Sequence, residues 1–266
     1  MSGKVVLISG GAGFLGSHFA RSLAESNASV VAADSRAPDE TEALGLWDTL
    51  FNARIFFEPV DITSPDDVEK LVDAVKGKLG TIDVLINCAA IDPKFEQGDK
   101  DSLAVQHFTS FRLSDWQESL DVNMTGTFLL TQAVCRVFEE QWSGNIINIC
   151  STYGLLGPDQ RIYNEGDEMR FVMPITYSVT KSAVLGFTRY LAAYYRGRNI
   201  RVNALTPGGV ERDHDEEFIQ RYSSKTILGR MARPDELTGA IVFLASDASS
   251  YMTGANLIVD GGWTAF

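Results

Sequence analysis

Residues 5–16 read Val5-Val6-Leu7-Ile8-Ser9-Gly10-Gly11-Ala12-Gly13-Phe14-Leu15-Gly16. The short apolar run predicts a buried strand, and Gly10, Gly13 and Gly16 follow it at three-residue intervals before a helical pattern begins. Glycines in this arrangement let a strand turn sharply into a helix, admit a pyrophosphate close to the backbone and let the helix pack on the sheet. The helix N-terminus offers amide donors and a positive dipole end to phosphate. The segment therefore predicts an α/β fold that binds a dinucleotide.

Short β-rich runs alternate with helical stretches along the rest of the chain. Most of these runs are apolar on both faces, which is typical of parallel strands covered by helices on each side. Repeated strand–helix–strand units with right-handed crossovers form a doubly wound sheet. We therefore predict an α/β fold in one Rossmann domain over residues 1–266, with a seven-stranded, mostly parallel sheet. The predicted strands are Val5–Ser9, Ser29–Ala33, Arg54–Pro59, Val84–Asn87, Ile146–Cys150, Arg201–Leu205 and Leu257–Val259.

Two helix starts carry capping patterns. Ser64-Pro65-Asp66-Asp67 combines a capping hydroxyl, a proline at the first helical position and carboxylates in the first turn. Ser114-Asp115-Trp116-Gln117 fits a capping box with Ser114 as the N-cap. Between these elements, segments 91–112 and 155–175 show no clean period and follow predicted strand ends, where open α/β sheets bind their ligands.

Composition excludes some classes of function. The formal net charge is -12 and the pI about 4.7, which argues against a nucleic-acid surface. Cys88, Cys135 and Cys150 are widely spaced, show no metal-ligand spacing and suit a reducing compartment. The chain begins almost at once with a strand, and no apolar stretch reaches the ~20 residues that span a bilayer. We expect a cytoplasmic protein with no metal, no membrane contact and no nucleic-acid partner.

Asp34 is the candidate that sets cofactor choice. It follows the second predicted strand, 18 positions after Gly16. A carboxylate there accepts hydrogen bonds from the adenosine ribose hydroxyls and repels a 2′-phosphate. We therefore predict NAD, with NADP less favoured, although Arg36 softens the preference because it can pair with a phosphate.

Tyr177 and Lys181 form the candidate catalytic pair. Four residues apart on a helix, their side chains lie on one face. A phenol ionises near pH ~10, and a neighbouring ammonium favours the phenolate. The pair therefore suits a general acid/base that works near neutral pH.

With these residues in place, the whole chain resembles the short-chain dehydrogenases/reductases. The further matching segments are Asp61-Ile62, Asn87-Cys88-Ala89-Ala90, Asp121-Val122-Asn123, Asn148-Ile149-Cys150-Ser151, Pro207-Gly208, Tyr251-Met252-Thr253-Gly254 and Val259-Asp260-Gly261-Gly262. The resemblance implies hydride transfer between a nicotinamide and a secondary alcohol or ketone. It also implies that the loop over 208–228 closes over cofactor and substrate.

The resemblance assigns four catalytic residues. Tyr177 would be the general acid/base, and Lys181 would assist it and bind the nicotinamide ribose. Ser151 would donate to the substrate oxygen, and Asn123 would hold a water that links Lys181 to solvent. The implied cofactor contacts are Gly10, Gly13, Phe14, Leu15, Gly16, Asp34, Asp61, Ile62, Asn87, Ala89, Tyr177, Lys181, Pro207, Gly208 and Val210.

The chain departs from the family pattern in two places. The glycine spacing is that of the longer branch that holds epimerases and dehydratases, and Phe14 stands where the compact branch usually has glycine. Ser151 and Tyr177 lie 26 positions apart, about twice the usual spacing, so segment 155–175 should line or cover the substrate pocket. This segment and Asp92-Pro93-Lys94 are similar to a subgroup encoded with bacterial surface-sugar biosynthesis, including nonulosonic-acid pathways.

The substrate is expected to be a polar, sugar-like or sugar-phosphate molecule. The main candidate contacts are Lys94, Tyr153 and Arg161, of which the two cations suit a phosphate or carboxylate. Further candidates are Gln160, Tyr163, Arg212 and His214.

Other functions stay open at this point. One is a sugar epimerase or dehydratase that retains NAD, which the chain length disfavours. Others are a dehydrogenase for another small alcohol, with steroids and acyl-carrier substrates included, and a nucleotide-sensing binding protein. The family resemblance also implies a homodimer or homotetramer through helices 115–140 and 178–195. Residues that add exposed-looking apolar surface there are Phe187, Leu191, Tyr194 and Tyr195.

Overall fold

The computed structural model describes residues 1–41, 43–91, 107–165, 168–169 and 171–266. The seven predicted strands form one sheet in which every neighbouring pair is parallel. They are β1 (Val5–Ser9), β2 (Ser29–Asp34), β3 (Ile55–Pro59), β4 (Val84–Asn87), β5 (Ser143–Ile149), β8 (Asn199–Pro207) and β9 (Asn256–Val259), in the order β3-β2-β1-β4-β5-β8-β9. Segment 155–175 adds a small antiparallel pair, β6 (Asn164–Glu165) and β7 (Glu168–Met169). The strand order reverses between β1 and β4, which places a crevice at their carboxyl ends.

Helices cover both faces of the sheet. They are α1 (Phe14–Glu25), α2 (Ala43–Trp47), α3 (Pro65–Leu79), α4 (Leu113–Leu120), α5 (Thr127–Gln141), α6 (Ile175–Tyr194), α7 (Glu216–Ser223) and α8 (Thr238–Ala245). Alternate residues of β1 face opposite sides of the sheet. Val5 and Leu7 pack with α3 and α5 on one face. Val6 and Ile8 pack with α1, α2 and α8 on the other face. Every position of β1 is buried, as an apolar run in a parallel sheet requires.

The two capping predictions have different outcomes. Ser64 caps α3 as predicted, and its Oγ accepts from the Asp67 N–H at 3.3 Å. The prediction at Ser114 is wrong, because α4 begins at Leu113 and Arg112 is its N-cap. Ser114 thus lies inside the first turn, where its hydroxyl donates to Asp115 Oδ1 at 3.1 Å.

A π-helical turn, Asp121–Gly126, joins α4 to α5. Such turns are rare and occur often at functional sites. Gly126 packs so closely on Ile62 that a Cβ would lie 2.6 Å from Ile62 Cγ1. The turn buries Asn123, one of the predicted catalytic residues, next to the crevice.

Within the described residues, no helix is both long and apolar enough to cross a membrane. Cys88, Cys135 and Cys150 are free thiols. Burial raises the pKa of both the Cys88 and Cys135 thiols to about 11, so these two side chains stay protonated near neutral pH.

Candidate active site

The glycine-rich turn folds onto the end of β4. Gly10 has a φ of +67°, and a Cβ there would lie 2.7 Å from the Ala89 Cα. A Cβ on Gly16 would collide with the Gly10 carbonyl oxygen. The sequence analysis did not single out Gly11, where a Cβ would lie 2.6 Å from the Ala32 Cα. These contacts explain why glycine is needed in this turn, and they place Gly10, Gly16 and Ala89 together at the crevice.

The N-terminus of α1 is a ready site for an anion. Gly13 is the N-cap and, among the described residues, no side chain caps this helix and no carboxylate lies in its first turn. The amides of Phe14, Leu15 and Gly16 therefore point out of the helix without an intrahelical acceptor. This donor set fits a dinucleotide pyrophosphate.

Two arginines flank the same turn. The Arg36 guanidinium lies 3.9 Å from the position of a Cβ on Gly13. The Arg212 guanidinium carbon lies 4.8 Å from the centre of the Phe14 ring, a cation–π contact that joins the loop after β8 to the glycine-rich turn. Phe14, unusual at its position, thus provides the surface on which Arg212 packs.

Asp34 ends β2 and is buried beside the turn. Its Oδ2 accepts from the Ala12 N–H at 3.1 Å, and its Oδ1 accepts from the Arg36 N–H at 3.1 Å. Because a carboxylate has about four acceptor positions, these bonds orient Asp34 and leave capacity for ribose hydroxyls.

Three of the other predicted cofactor contacts follow β3 or end β4. Asp61 is exposed and accepts from Thr63 at 2.9 and 2.7 Å, whereas Ile62 is buried against the π-helical turn. Asn87 Nδ2 donates to Thr131 Oγ1 at 2.9 Å and to Asn148 Oδ1 at 2.8 Å. Asn148, which the sequence analysis did not treat as a site residue, is one of two buried asparagines in β5, with Asn145.

The remaining predicted cofactor contacts follow β8. Pro207 ends the strand, and the Gly208 N–H donates to the Val259 carbonyl at 2.9 Å. A Cβ on Gly208 would lie 2.8 Å from the Asp260 Cα. Val210 forms an isolated bridge with Ala232. The loop therefore leaves the sheet along a fixed path toward α7.

Tyr177 and Lys181 lie in the first turns of α6, on one face as predicted. Lys181 is buried, and its Nζ donates to the Ile149 carbonyl at 3.0 Å and lies 5.7 Å from the centre of the Tyr177 ring. Ser151 follows Ile149 at the end of β5 and is also buried. Gly154 lets α6 approach, because a Cβ there would lie 2.6 Å from the Lys181 carbonyl oxygen.

Asn123 connects three segments of the site. Its Oδ1 accepts from the Ile91 N–H at 2.7 Å, and its Nδ2 donates to the Ile91 carbonyl at 3.3 Å and to Thr180 Oγ1 at 3.2 Å. A small cavity, large enough for about one water molecule, lies beside it and is also lined by Lys181 and Asn148. The structure therefore brings Asn123, Ser151, Tyr177 and Lys181 to one end of the crevice.

An aromatic cluster covers this end. Its members are Tyr153, Tyr163, Phe171, Phe218, Tyr222 and Trp263. The Tyr153 ring meets Tyr177 edge-on at 6.5 Å, and Trp263 stacks on Tyr222 at 4.3 Å. Burial raises the pKa of the Tyr153 phenol to about 12, against a smaller opposing effect of its hydrogen bond with Tyr163. Tyr222 and Trp263 were not predicted, since nothing local to their sequence places them near Tyr177.

The remaining substrate candidates lie in different surroundings. Arg161 is exposed and forms a two-bond ion pair with Asp159, at 2.8 Å for each bond. Asp159 also pairs with Lys225 at 2.8 Å, so it ties segment 155–175 to the loop that follows α7. His214 stacks on Phe218 at 4.9 Å, and burial lowers the pKa of its imidazole.

Gln160 and Lys94 are the other two candidates. Gln160 exchanges two hydrogen bonds with the Met173 backbone and so closes segment 155–175 on itself. Lys94 lies outside the described residues, as does most of segment 91–112.

Comparisons with known proteins identify the family. A family model described as enoyl-(acyl carrier protein) reductase matches residues 11–264. The chain is 32% identical to the 3-oxoacyl-[acyl-carrier-protein] reductase FabG of Aquifex aeolicus, with 98% of each chain covered. The chain belongs to the short-chain dehydrogenase/reductase family. It is therefore an oxidoreductase of alcohols and carbonyl compounds.

Two solved short-chain dehydrogenases/reductases resemble the structure along nearly its whole length. One, from Leptospira borgpetersenii with bound NAD+, is 35% identical, with a TM-score of 0.81 over 99% of this chain and 94% of that chain. The other is a gluconate 5-dehydrogenase from Burkholderia cenocepacia in complex with NADP and tartrate. It is 30% identical, with a TM-score of 0.82 over 100% of this chain and 97% of that chain. Both cofactors therefore occur among short-chain dehydrogenases/reductases of this shape.

Proposed function

We propose that the protein is an NAD-dependent enzyme that interconverts a secondary alcohol and a ketone on a polar, sugar-like or sugar-phosphate substrate. The observation that carries this proposal is the buried Lys181 ammonium, which lies 5.7 Å from the centre of the Tyr177 ring and donates to the Ile149 carbonyl at the carboxyl end of β5, two residues before Ser151. A cation held in this position favours the ionised phenol, which is the state that removes a proton.

The chain's own groups handle the proton in both directions. During oxidation, Tyr177 Oη takes the proton of the substrate hydroxyl while the carbon loses hydride, and during reduction it returns the proton to the carbonyl oxygen. The nicotinamide, when bound, accepts or supplies the hydride. Ser151 Oγ donates to the substrate oxygen and stabilises the negative charge that develops there.

The cavity beside Asn123 supports a proton path to solvent. Lys181 lines this cavity together with Asn123, and Asn123 is itself held by Ile91 and Thr180. A water in the cavity would have the 2–4 polar partners that a buried water needs. We therefore assign Asn123 to holding that water rather than to contact with substrate.

Cofactor choice rests on Asp34. Its carboxylate is oriented by Ala12 and Arg36 at the end of β2, where a second negative charge on the ribose would be repelled. Arg36 acts in the opposite sense, since its guanidinium lies next to Gly13. The repulsion between Asp34 and a 2′-phosphate outweighs the attraction of Arg36. Asp34 is buried, whereas the charge of the exposed Arg36 is screened by solvent and salt. NAD is therefore proposed, with NADP the weaker cofactor.

Substrate polarity is supported by the phenols of the aromatic cluster. Tyr153 and Tyr163 offer hydroxyls within apolar ring surfaces, which suits a molecule with both C–H faces and hydroxyls. Segments 155–175 and 208–228 supply most of this cluster, so we propose them as the substrate loops of a single domain. The gluconate 5-dehydrogenase with bound tartrate is a relative named for a polyhydroxy acid.

A coupled screen tests this proposal. Sugars, sugar phosphates, polyols and simple secondary alcohols are offered with NAD and, separately, with NADP, and the reduced cofactor is followed by absorbance. We expect turnover of a polyhydroxylated substrate, with kcat/KM at least ~10-fold higher for NAD. Turnover confined to apolar alcohols, or an NADP preference, contradicts the substrate or the cofactor part respectively.

The surface of α5 and α6 supports a homo-oligomer. A groove lined by Phe128, Leu191 and Tyr195 runs between these helices. Beside it, the rings of Tyr190 and Tyr194 stack with their centres 6.2 Å apart. Each of these two tyrosines is more than half exposed. Tyr195 was predicted to be exposed, which is wrong, because its ring turns inward and its hydroxyl donates to Glu139 at 3.2 Å. An exposed apolar patch of this kind marks an interaction site.

We expect the protein to be a homodimer or homotetramer that uses this surface, a face able to meet its own copy across a two-fold axis. Replacing both Tyr190 and Tyr194 by Glu should place like charges across the axis and shift the sedimentation coefficient toward the monomer. Tyr251→Glu, at a fully exposed tyrosine outside this surface, is the matched control. An unchanged assembly in the double variant contradicts the assignment of this face.

A further inference from the structure

Segment 155–175 approaches the proposed catalytic side chains through Tyr163. This residue ends the 3-10 turn Gln160–Tyr163, and its hydroxyl lies 2.8 Å from the hydroxyl of Tyr153. Both rings are buried. The hydrogen bond is therefore shielded from water, where it is stronger than an exposed one.

Tyr153 in turn is coupled to two proposed catalytic residues. Its backbone N–H donates to Ser151 Oγ at 3.2 Å, and its ring meets the Tyr177 ring edge-on with centroids 6.5 Å apart. Tyr153 therefore contacts Ser151 through its backbone and Tyr177 through its ring.

Packing from two sides holds Tyr163 in place. Its ring lies 5.2 Å from that of Phe171 and stacks on Phe218 of α7 at 5.6 Å. Arg221, also on α7, donates from Nε to the Ile162 carbonyl at 2.9 Å. Since these contacts join segment 155–175 to α7, the position of the Tyr163 hydroxyl is determined by both substrate loops together.

The hydrogen bond between the two phenols determines which hydroxyl can donate to a third group. Each phenol carries one O–H, and the bond between them uses one of the two protons. When Tyr163 donates to Tyr153, the O–H of Tyr153 can in turn donate to a third group. The raised pKa of Tyr153, about 12, keeps this group protonated across the working pH range, so it acts as a donor and not as a base.

We propose that Tyr163 is a positioning residue that orients the Tyr153 hydroxyl toward a second substrate oxygen, on the carbon next to the one that gains or loses hydride. This inference rests on the proposed function. It names the substrate class as vicinal diols and the corresponding α-hydroxy ketones. A site that hydrogen-bonds a substrate hydroxyl discriminates strongly against the analogue without it, because the site's buried donor is then left unpaired.

The test compares 2,3-butanediol with 2-butanol, which differ only in the second hydroxyl. We expect the full-length wild-type enzyme to prefer the diol in kcat/KM by on the order of tenfold or more. Tyr163→Phe and Tyr153→Phe each keep the ring and should reduce this ratio to near one. Tyr222→Phe is the matched control, since Tyr222 belongs to the same cluster but its hydroxyl accepts from the Gly209 N–H. It should lower both rates in parallel.

The ratio of kcat/KM for the diol to kcat/KM for 2-butanol distinguishes a change in specificity from a general loss of structure. A general loss of structure lowers kcat/KM for both alcohols equally. If a folded Tyr163→Phe keeps the wild-type ratio of kcat/KM for the diol to kcat/KM for 2-butanol, the proposal is overturned. This holds even when Tyr153→Phe loses the preference for the diol. A wild-type enzyme without preference for the diol overturns the substrate class while the proposed function stands. Absence of turnover with every compound of the wider screen overturns the proposed function itself. If Tyr163→Phe does not fold, the ratio of kcat/KM values measured for Tyr153→Phe tests the Tyr153 hydroxyl as donor on its own.

Discussion

Tyr177→Phe is expected to lower kcat by roughly 10²- to 10⁴-fold, which is the usual contribution of a positioned general acid/base. Phenylalanine keeps the ring that meets Tyr153 edge-on, and it keeps the contact with the Lys181 ammonium. Only the oxygen that exchanges a proton with the substrate is lost. The loss should therefore appear mainly in the chemical step, change cofactor affinity much less than the rate, and leave folding nearly unchanged.

Single-turnover rates, the dissociation constant of NADH and the midpoint of thermal unfolding measure these three properties separately. Tyr251→Phe, at an exposed tyrosine outside the site, is the control for a lost phenol in general. Activity of Tyr177→Phe within tenfold of wild type would end the catalytic assignment. An equal fall in NADH affinity and rate would instead indicate a disturbed cofactor site.

Lys181→Met is expected to have the second-largest effect, a loss of about 10²-fold or more in kcat together with weaker NADH binding. Methionine is close in length, but it removes the ammonium beside Tyr177 and the donor to the buried Ile149 carbonyl. An unsatisfied buried carbonyl costs about 1–3 kcal/mol, so the variant should also unfold at a lower temperature.

Lys181→Arg separates charge from shape. Arginine restores the positive charge but is planar and longer, so it should recover part of the rate without full cofactor affinity. Rates are measured with saturating NADH, and affinity is measured by NADH fluorescence. A methionine variant with wild-type kcat at saturating cofactor would contradict the role assigned to the cation.

The local pattern of the chain was sufficient for the fold and for the main geometry of the site. Buried parallel strands are recognisable because β1 is apolar on both faces, and the glycine turn is recognisable because Gly10, Gly11 and Gly16 have no room for a Cβ. Tyr177 and Lys181 meet because four residues make about one helical turn. Each of these relationships depends on neighbours in sequence, so the pattern contains it.

The sequence was a poorer guide where a side chain has a choice of partner. Ser114 has the residue type of a cap, but α4 begins at Leu113 with Arg112 as its N-cap, so Ser114 lies within the first turn. Tyr195 continues the aromatic pattern of α6, yet the helix has ended there and the ring turns inward toward Glu139. Residue type limits which partners a side chain can have, whereas the exact end of the helix determines which partner it contacts.

Sequence alone therefore determined the parallel sheet, the glycine-rich turn and the tyrosine–lysine pair, all of which follow from short-range patterns. Only the tertiary structure decided that Tyr163 meets Tyr153, that Asn148 holds Asn87 and that Arg212 packs on Phe14. These pairs join segments that are distant along the chain or held together by a loop of no regular period. Their meeting depends on how whole elements pack, because the summed burial of many side chains, and not any local preference, sets where each loop comes to rest.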